Sequence, residues 1–154
     1  MTTTITERAD ALVTELQALT NWQDRYRRII ALGRELAPMP DAHRVDTNKV
    51  KGCQSQVWLH ASLGADADGR AVVEYVADSD AAIVKGLVAI VLEVYSGATP
   101  DEVLQTPPSF IDALGLSENL SQTRASGLQA MIKQIKLYAV AFSALAARAT
   151  PPRP

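Results

Sequence analysis

Apolar residues recur at helical spacing at the beginning of the chain, and two helices are expected there. The stretch Thr6–Leu19 places its apolar side chains on one helical face. A second helix is expected to begin after Asn21, which suits an N-cap position because Asp24 follows three residues later. Two prolines then end this helical pattern. The polar stretch that follows, residues 40–50, is predicted to be a long loop.

The middle of the chain changes to a period of two, which is typical of β-strands. Gln56–Leu63 alternates apolar and polar residues, and Ala71–Ala77 is apolar and rich in β-branched residues. The segment Gly64–Arg70 between them is rich in Gly, Asp and Ala, so the two strands are predicted to form an antiparallel hairpin. Val57, Leu59, Ala61 and Leu63 are expected to share one face of the first strand, with Trp58, His60 and Ser62 on the other. The region before Cys53 is a candidate for one more short strand.

Helical spacing returns after the hairpin. A largely buried helix is expected over Ala81–Tyr95, with Asp78–Asp80 as its cap. Two short helices are expected near Thr99–Glu102 and Ser109–Leu114, and a long one after a Ser121 cap, over Gln122–Ala147. Strands grouped between helices predict an α+β fold in which helices pack on one face of a small antiparallel sheet.

Composition is that of one ordinary globular domain. The 154 residues are 47% hydrophobic and 21% charged, and they are expected to form a single domain over 1–154, with a core at about 21–147 and a frayed tail over Thr150–Pro154. The net charge of −2 and the lack of a basic stripe argue against a nucleic acid partner. No apolar run is long enough to cross a membrane, and the beginning of the chain has no signal-peptide pattern.

The chemistry of the chain is concentrated at its one cysteine, Cys53. It forms no internal disulfide and holds no iron–sulfur cluster or zinc ion by itself, and a cytoplasmic location is expected. Gly52 permits a sharp bend, Lys51 is expected to favour the thiolate, and Gln54 and Ser55 are expected to hydrogen-bond a sulfur anion. Because polar residues flank Cys53 on both sides, it lies outside the apolar stripes. An inert, buried cysteine is the alternative.

Other candidates for chemistry have simpler explanations. His43 and His60 are the two possible bases for a cysteine nucleophile, but His60 lies about 20 Å along an extended strand from Cys53. The acidic residues Asp46, Asp78 and Asp80 are explained as helix caps or solvated loop residues. Gly86 is interpreted as a point of close helix packing.

Four ordered blocks give the chain a family resemblance. The segment Gly52–Trp58, GCQSQVW, resembles the signature of the SufE/CsdE family of sulfur acceptors that work with cysteine desulfurases. The blocks Asp78–Leu87, Leu120–Leu128 and Asn21–Gly33 are similar to the same family. The resemblance covers about residues 21–142, in the order and with the spacing of the family.

The resemblance implies a fold shared with IscU-type scaffolds and a role for Cys53 as the acceptor that carries sulfur as a persulfide. It implies supporting or partner-binding roles for Gly52, Gln54, Ser55, Asp80 and Arg124. The implied partners are a pyridoxal-phosphate-dependent desulfurase of the SufS/CsdA type, which this protein would stimulate, and an iron–sulfur scaffold complex that receives the sulfur. No cofactor is expected on this chain, and it is expected to be a monomer or weak dimer that is not itself an enzyme.

A persulfide is exposed to reductants and oxidants, so Cys53 is expected to be shielded in the free protein and presented on docking. Two other functions remain open. One is a cluster-assembling scaffold, for which one cysteine provides too few ligands. The other is a thiol-based redox sensor or an enzyme with Cys53 as nucleophile, which requires a low thiol pKa and turnover without a partner.

Overall fold

The computed structural model describes residues 4–53 and 55–149, with side chains placed as far as residue 146. Its elements in chain order are α1 (Ile5–Gln17), α2 (Trp22–Arg34), two single 3₁₀ turns (Asp41–His43 and Asp46–Asn48), β1 (Val57–Ala65), β2 (Ala71–Ser79), α3 (Ala82–Tyr95), α4 (Pro100–Gln105), α5 (Ser109–Ala113), α6 (Leu116–Asn119) and α7 (Gln122–Ala149). The α+β prediction is confirmed. Gln54 and the tail Thr150–Pro154 lie outside the described residues.

Local capping signals in the sequence correspond to observed helix ends. Asn21 accepts a hydrogen bond from the backbone N–H of Asp24 and begins α2. Thr99 and Glu102 form a capping box at the start of α4. The Ser121 hydroxyl accepts from the backbone N–H of Arg124 at 3.2 Å, which satisfies one of the free donors at the start of α7.

The hairpin pairs β1 and β2 in antiparallel register from Val57–Ser79 to Ala65–Ala71. Val57, Leu59 and Ala61 are buried in the core, whereas Leu63, which shares their face of the strand, is 37% exposed. Before Cys53 the chain makes a single bridge between Lys49 and Trp58 rather than a third strand.

The helix α3 is the centre of the core and packs against α1, α2, α7 and β2. Its predicted cap was wrong in detail, because Ala81 is the N-cap and makes no side-chain cap bond. Asp78 is instead paired with Arg44 at 2.8 Å and with Lys85 at 3.3 Å. Among the described residues, no helix combines the length and apolar character of a membrane span.

Backbones of α2 and α3 approach closely at two glycines. A methyl group on Gly86 would lie 2.2 Å from the carbonyl oxygen of Ile29, and one on Gly33 would lie 2.7 Å from the Gly86 nitrogen. The interpretation of Gly86 as a close-packing position therefore agrees with this geometry. The crossing places α3 where its other side forms part of the wall around Cys53.

Candidate functional site

Cys53 lies in the short connection between the second 3₁₀ turn and β1, where the chain bends against α7. Gly52 has φ +96°, a left-handed conformation that favours glycine. The Cys53 thiol is half-buried and donates a hydrogen bond to the carbonyl oxygen of Gly127 in α7, at 3.4 Å. The sharp bend predicted at Gly52 is thus present, and the turn itself explains the glycine.

The thiol faces a cleft of about 430 Å³ between the start of β1, α3 and the first turns of α7. One part of the wall is apolar and comes mainly from the two helices, and the other is polar and surrounds the beginning of α7. The apolar residues are Val57, Val84, Leu87, Val88, Leu128 and Met131, and the polar ones are Ser55, Ser121, Thr123 and Arg124. The cleft therefore combines an apolar wall beside the thiol with one cation and three hydroxyl groups.

Burial raises the pKa of the Cys53 thiol above its ordinary value. The carbonyl oxygen of Gly127 accepts a hydrogen bond from the protonated thiol and would repel a thiolate, so this contact also favours the neutral form. Desolvation is the cause of this shift, and the influence of Lys51 on the thiol stays a prediction. In the free protein, Cys53 rests as a protonated, weakly nucleophilic thiol.

Hydrogen bonds hold the segment that follows Cys53 against the turn before α3. The Asp80 carboxylate accepts from the backbone N–H of Gln56 at 3.1 Å, and the Asp80 N–H donates to the Gln56 carbonyl at 3.3 Å. Val50, on the other side of Cys53, donates to the Val57 carbonyl at 2.8 Å. Asp80 thus supports the backbone around Cys53 but does not line the cleft.

Arg124 is exposed in the first turn of α7 and lines the same cleft as Cys53 and Ser55. The structure therefore brings these three candidates together, and Gln54 lies outside the described residues. Gly127 was missed by sequence reasoning. The available signal was a glycine within a long helix, where it costs about 1 kcal/mol relative to alanine.

The two histidines do not belong to this cleft. Their rings stack on each other, with centroids 3.8 Å apart, and His60 points to the face of β1 opposite Val57. Among the described residues, no histidine or carboxylate lines the cleft. A Cys–His catalytic pair is thus absent from the described part of this site.

We expect iodoacetamide to alkylate Cys53 more slowly in the folded protein than in the same protein unfolded in guanidinium chloride. The pH–rate profile of the folded protein should have its inflection above the ordinary thiol pKa, because the thiolate is the reacting species and burial disfavours it. The raised pKa also makes the stability of the protein depend on pH. The protonated thiol favours the folded state at pH values below the thiol pKa of the unfolded chain, and this stabilisation is lost as pH rises through the thiol pKa of the folded protein. Equal rates at neutral pH in the two states would contradict the shielding.

The fold and this cleft define a small α+β protein with a single shielded thiol. A family model described as "SufE: Fe-S metabolism associated domain" matches residues 10–139. The chain belongs to the SufE family, and the resemblance seen in the sequence is confirmed. This membership associates the protein with iron–sulfur metabolism.

Two relatives illustrate the match. An uncharacterized SufE-like protein of Rhizobium meliloti (strain 1021) is 44% identical over 133 residues, which cover 82% of this chain and 91% of that protein. The solution structure of a hypothetical protein from Thermus thermophilus superposes with a TM-score of 0.72 at 21% identity, covering 87% of this chain and 94% of the other. The second likeness concerns the fold alone.

Proposed function

We propose that this protein accepts sulfur on Cys53 from the persulfide of a cysteine desulfurase, stimulates that enzyme by doing so, and delivers the sulfur for iron–sulfur cluster assembly. The observation that carries the proposal is the position of the only thiol, half-buried beside an apolar wall and within the same cleft as Arg124. Membership in a family associated with iron–sulfur metabolism supports the sulfur chemistry. The cytoplasmic location predicted from the sequence belongs to the same proposal.

The transfer is an exchange between a thiol and a persulfide, and it needs no external oxidant. The Cys53 sulfur attacks the terminal sulfur of the donor persulfide, a new S–S bond forms on Cys53, and the donor's S–S bond breaks. The proton lost by Cys53 is taken up by the leaving thiolate of the donor. The products are a Cys53 persulfide and the donor's free thiol. The pyridoxal phosphate that releases sulfur from L-cysteine is held by the donor enzyme.

The cleft suits the two stages of this reaction. In the resting stage the Gly127 carbonyl and the apolar wall keep Cys53 protonated. During transfer, negative charge develops on sulfur, and Arg124 together with the positively polarised beginning of α7 would stabilise it. Ser55 contributes a hydroxyl donor in the same cleft. Presentation of the thiol then requires that the partner bind the open state better than the closed one.

A raised thiol pKa is opposite to what a resting redox sensor or cysteine-nucleophile enzyme requires. A scaffold that assembles a cluster by itself is disfavoured because the whole chain has one cysteine. The carrier reaction fits both observations, because the partner supplies the reactive persulfide and the trigger for exposure.

Incubation with a cysteine desulfurase and L-cysteine, followed by mass spectrometry, tests the proposal. We expect the mass of one sulfur atom to be added to the intact protein, to be located on the peptide that contains Cys53 and to be removed by a reducing thiol. A control without L-cysteine should leave the mass unchanged. Absence of added sulfur under conditions in which the desulfurase turns over would refute the proposed function.

A further inference from the structure

A second concave surface lies on the other side of the Gly52 turn from the Cys53 cleft. This basic groove of about 430 Å³ is formed by the segment before Cys53 and by the middle of α7. The residues that determine its character are Lys49, Lys51, Ala130, Lys133, Leu137 and Tyr138. The proposed function assigns no role to this surface.

The groove and the cleft adjoin along α7. The Gly127 carbonyl accepts the hydrogen bond from the thiol. Ala130, one helical turn later, packs against Gly52, and a methyl group added to Gly52 would lie 3.2 Å from the Ala130 Cβ. Lys51 and Cys53 therefore lie on opposite sides of the same turn. A partner bound in the groove would be next to the segment that carries the thiol.

The charged residues that line the groove are all lysines. Lys49 is paired with Asp46 at 3.3 Å, whereas Lys51 and Lys133 are exposed and have no ion-pair partner among the described residues. The chain as a whole has a net charge of −2. Local positive charge on an acidic protein indicates a surface complementary to a specific acidic partner.

The groove is apolar as well as basic. Leu137 is 52% exposed, and Tyr138 is half-buried and lines the groove together with the lysines. An acidic polypeptide with an apolar side chain would use both features. A nucleic acid backbone would use only the lysines, and three of them make a small electrostatic footprint for a chain of phosphates.

We propose that the basic groove is the docking surface for an acidic, partly apolar segment of the protein that donates sulfur to Cys53. This inference rests on the proposed function, because it takes the desulfurase as the partner. Docking there would place the partner's acidic segment beside Lys51, next to the turn that carries the thiol. Because these lysines are exposed, their contribution should appear mainly in encounter rate and salt dependence.

The test compares two double variants of equal net charge in sulfur transfer from a purified cysteine desulfurase supplied with L-cysteine. Lys51→Glu/Lys133→Glu reverses the charge of two lysines in the groove, and Arg27→Glu/Arg34→Glu reverses the charge of two exposed arginines on α2. We expect the groove variant to raise the KM for the carrier about tenfold at low salt and to weaken the salt dependence, whereas the α2 variant stays near the parent. Thermal melting and the alkylation rate of Cys53 without partner check that both variants keep the fold and the intrinsic thiol reactivity.

The outcomes separate this inference from the proposed function. If sulfur reaches Cys53 of the groove variant at saturating desulfurase but the KM is raised, the carrier function and the docking role of the groove are both supported. An unchanged KM and salt dependence in the groove variant would refute the docking role of the groove but not the carrier function. An equal rise in KM in the α2 variant would also refute the docking role. Binding of a single-stranded RNA oligonucleotide that depends on these lysines, with no effect on the KM, would replace the protein partner by a nucleic acid.

Discussion

Cys53→Ser is expected to abolish sulfur acceptance and to remove the stimulation of the desulfurase. The serine hydroxyl is close in size to the thiol and keeps a donor for the Gly127 carbonyl, so the turn and α7 should remain packed as in the parent. The chain has no second cysteine to take over the sulfur. Sulfide release by the desulfurase in the presence of the variant should therefore equal that of the enzyme alone.

The control for this experiment is binding. The serine variant should still compete with the parent protein for the desulfurase, because the docking surface is unchanged, and its melting temperature should match that of the parent. A serine variant that stimulates the enzyme fully would show that stimulation is allosteric and that Cys53 carries no sulfur in that step.

The elements that could be predicted from the sequence are those determined by local signals. Asn21, Thr99 and Ser121 cap helices through side chains that reach backbone groups three residues away, and such contacts depend little on the rest of the fold. The strands followed from their alternation. The cap predicted at Asp78 failed because a distant residue, Arg44, pairs with it, and the tertiary ion pair prevailed over the local preference.

The same distinction applies to the site. Cys53 was found because it is a lone thiol outside any apolar stripe, which is a property of its neighbours in sequence. Arg124 came from the family resemblance alone, since its nearness to the thiol arises when α7 packs beside the loop. The Gly127 contact and the groove around Lys133 were not predicted, because each joins segments that are far apart in the chain. Cys53 and Gly127, for example, are separated by 74 positions in the sequence.

Two of the helical glycines, Gly86 and Gly127, are expected to respond to alanine with opposite effects on stability. In a helix, alanine is favoured over glycine by about 1 kcal/mol, so both substitutions stabilise their own helix by the same amount. At Gly86 the new methyl group would lie 2.2 Å from the carbonyl oxygen of Ile29 and 2.7 Å from its carbonyl carbon, and backbone atoms do not yield without a shift of α2 against α3. At Gly127 the nearest atom is the Cys53 sulfur at 3.4 Å, which is an ordinary contact.

Overpacking of a tight core costs up to roughly 3 kcal/mol, so the net effect of Gly86→Ala on the free energy of unfolding should be a loss of about 2 kcal/mol. This corresponds to a fall in melting temperature of about 4–8 °C for a chain of this size. Gly127→Ala, the matched control, should unfold at the parent temperature or slightly above it. Urea unfolding followed by circular dichroism measures the free energy of unfolding of both variants. A Gly86→Ala protein as stable as Gly127→Ala would mean that the α2–α3 crossing is looser than the described geometry, and the wall of the cleft that α3 provides would be correspondingly less rigid.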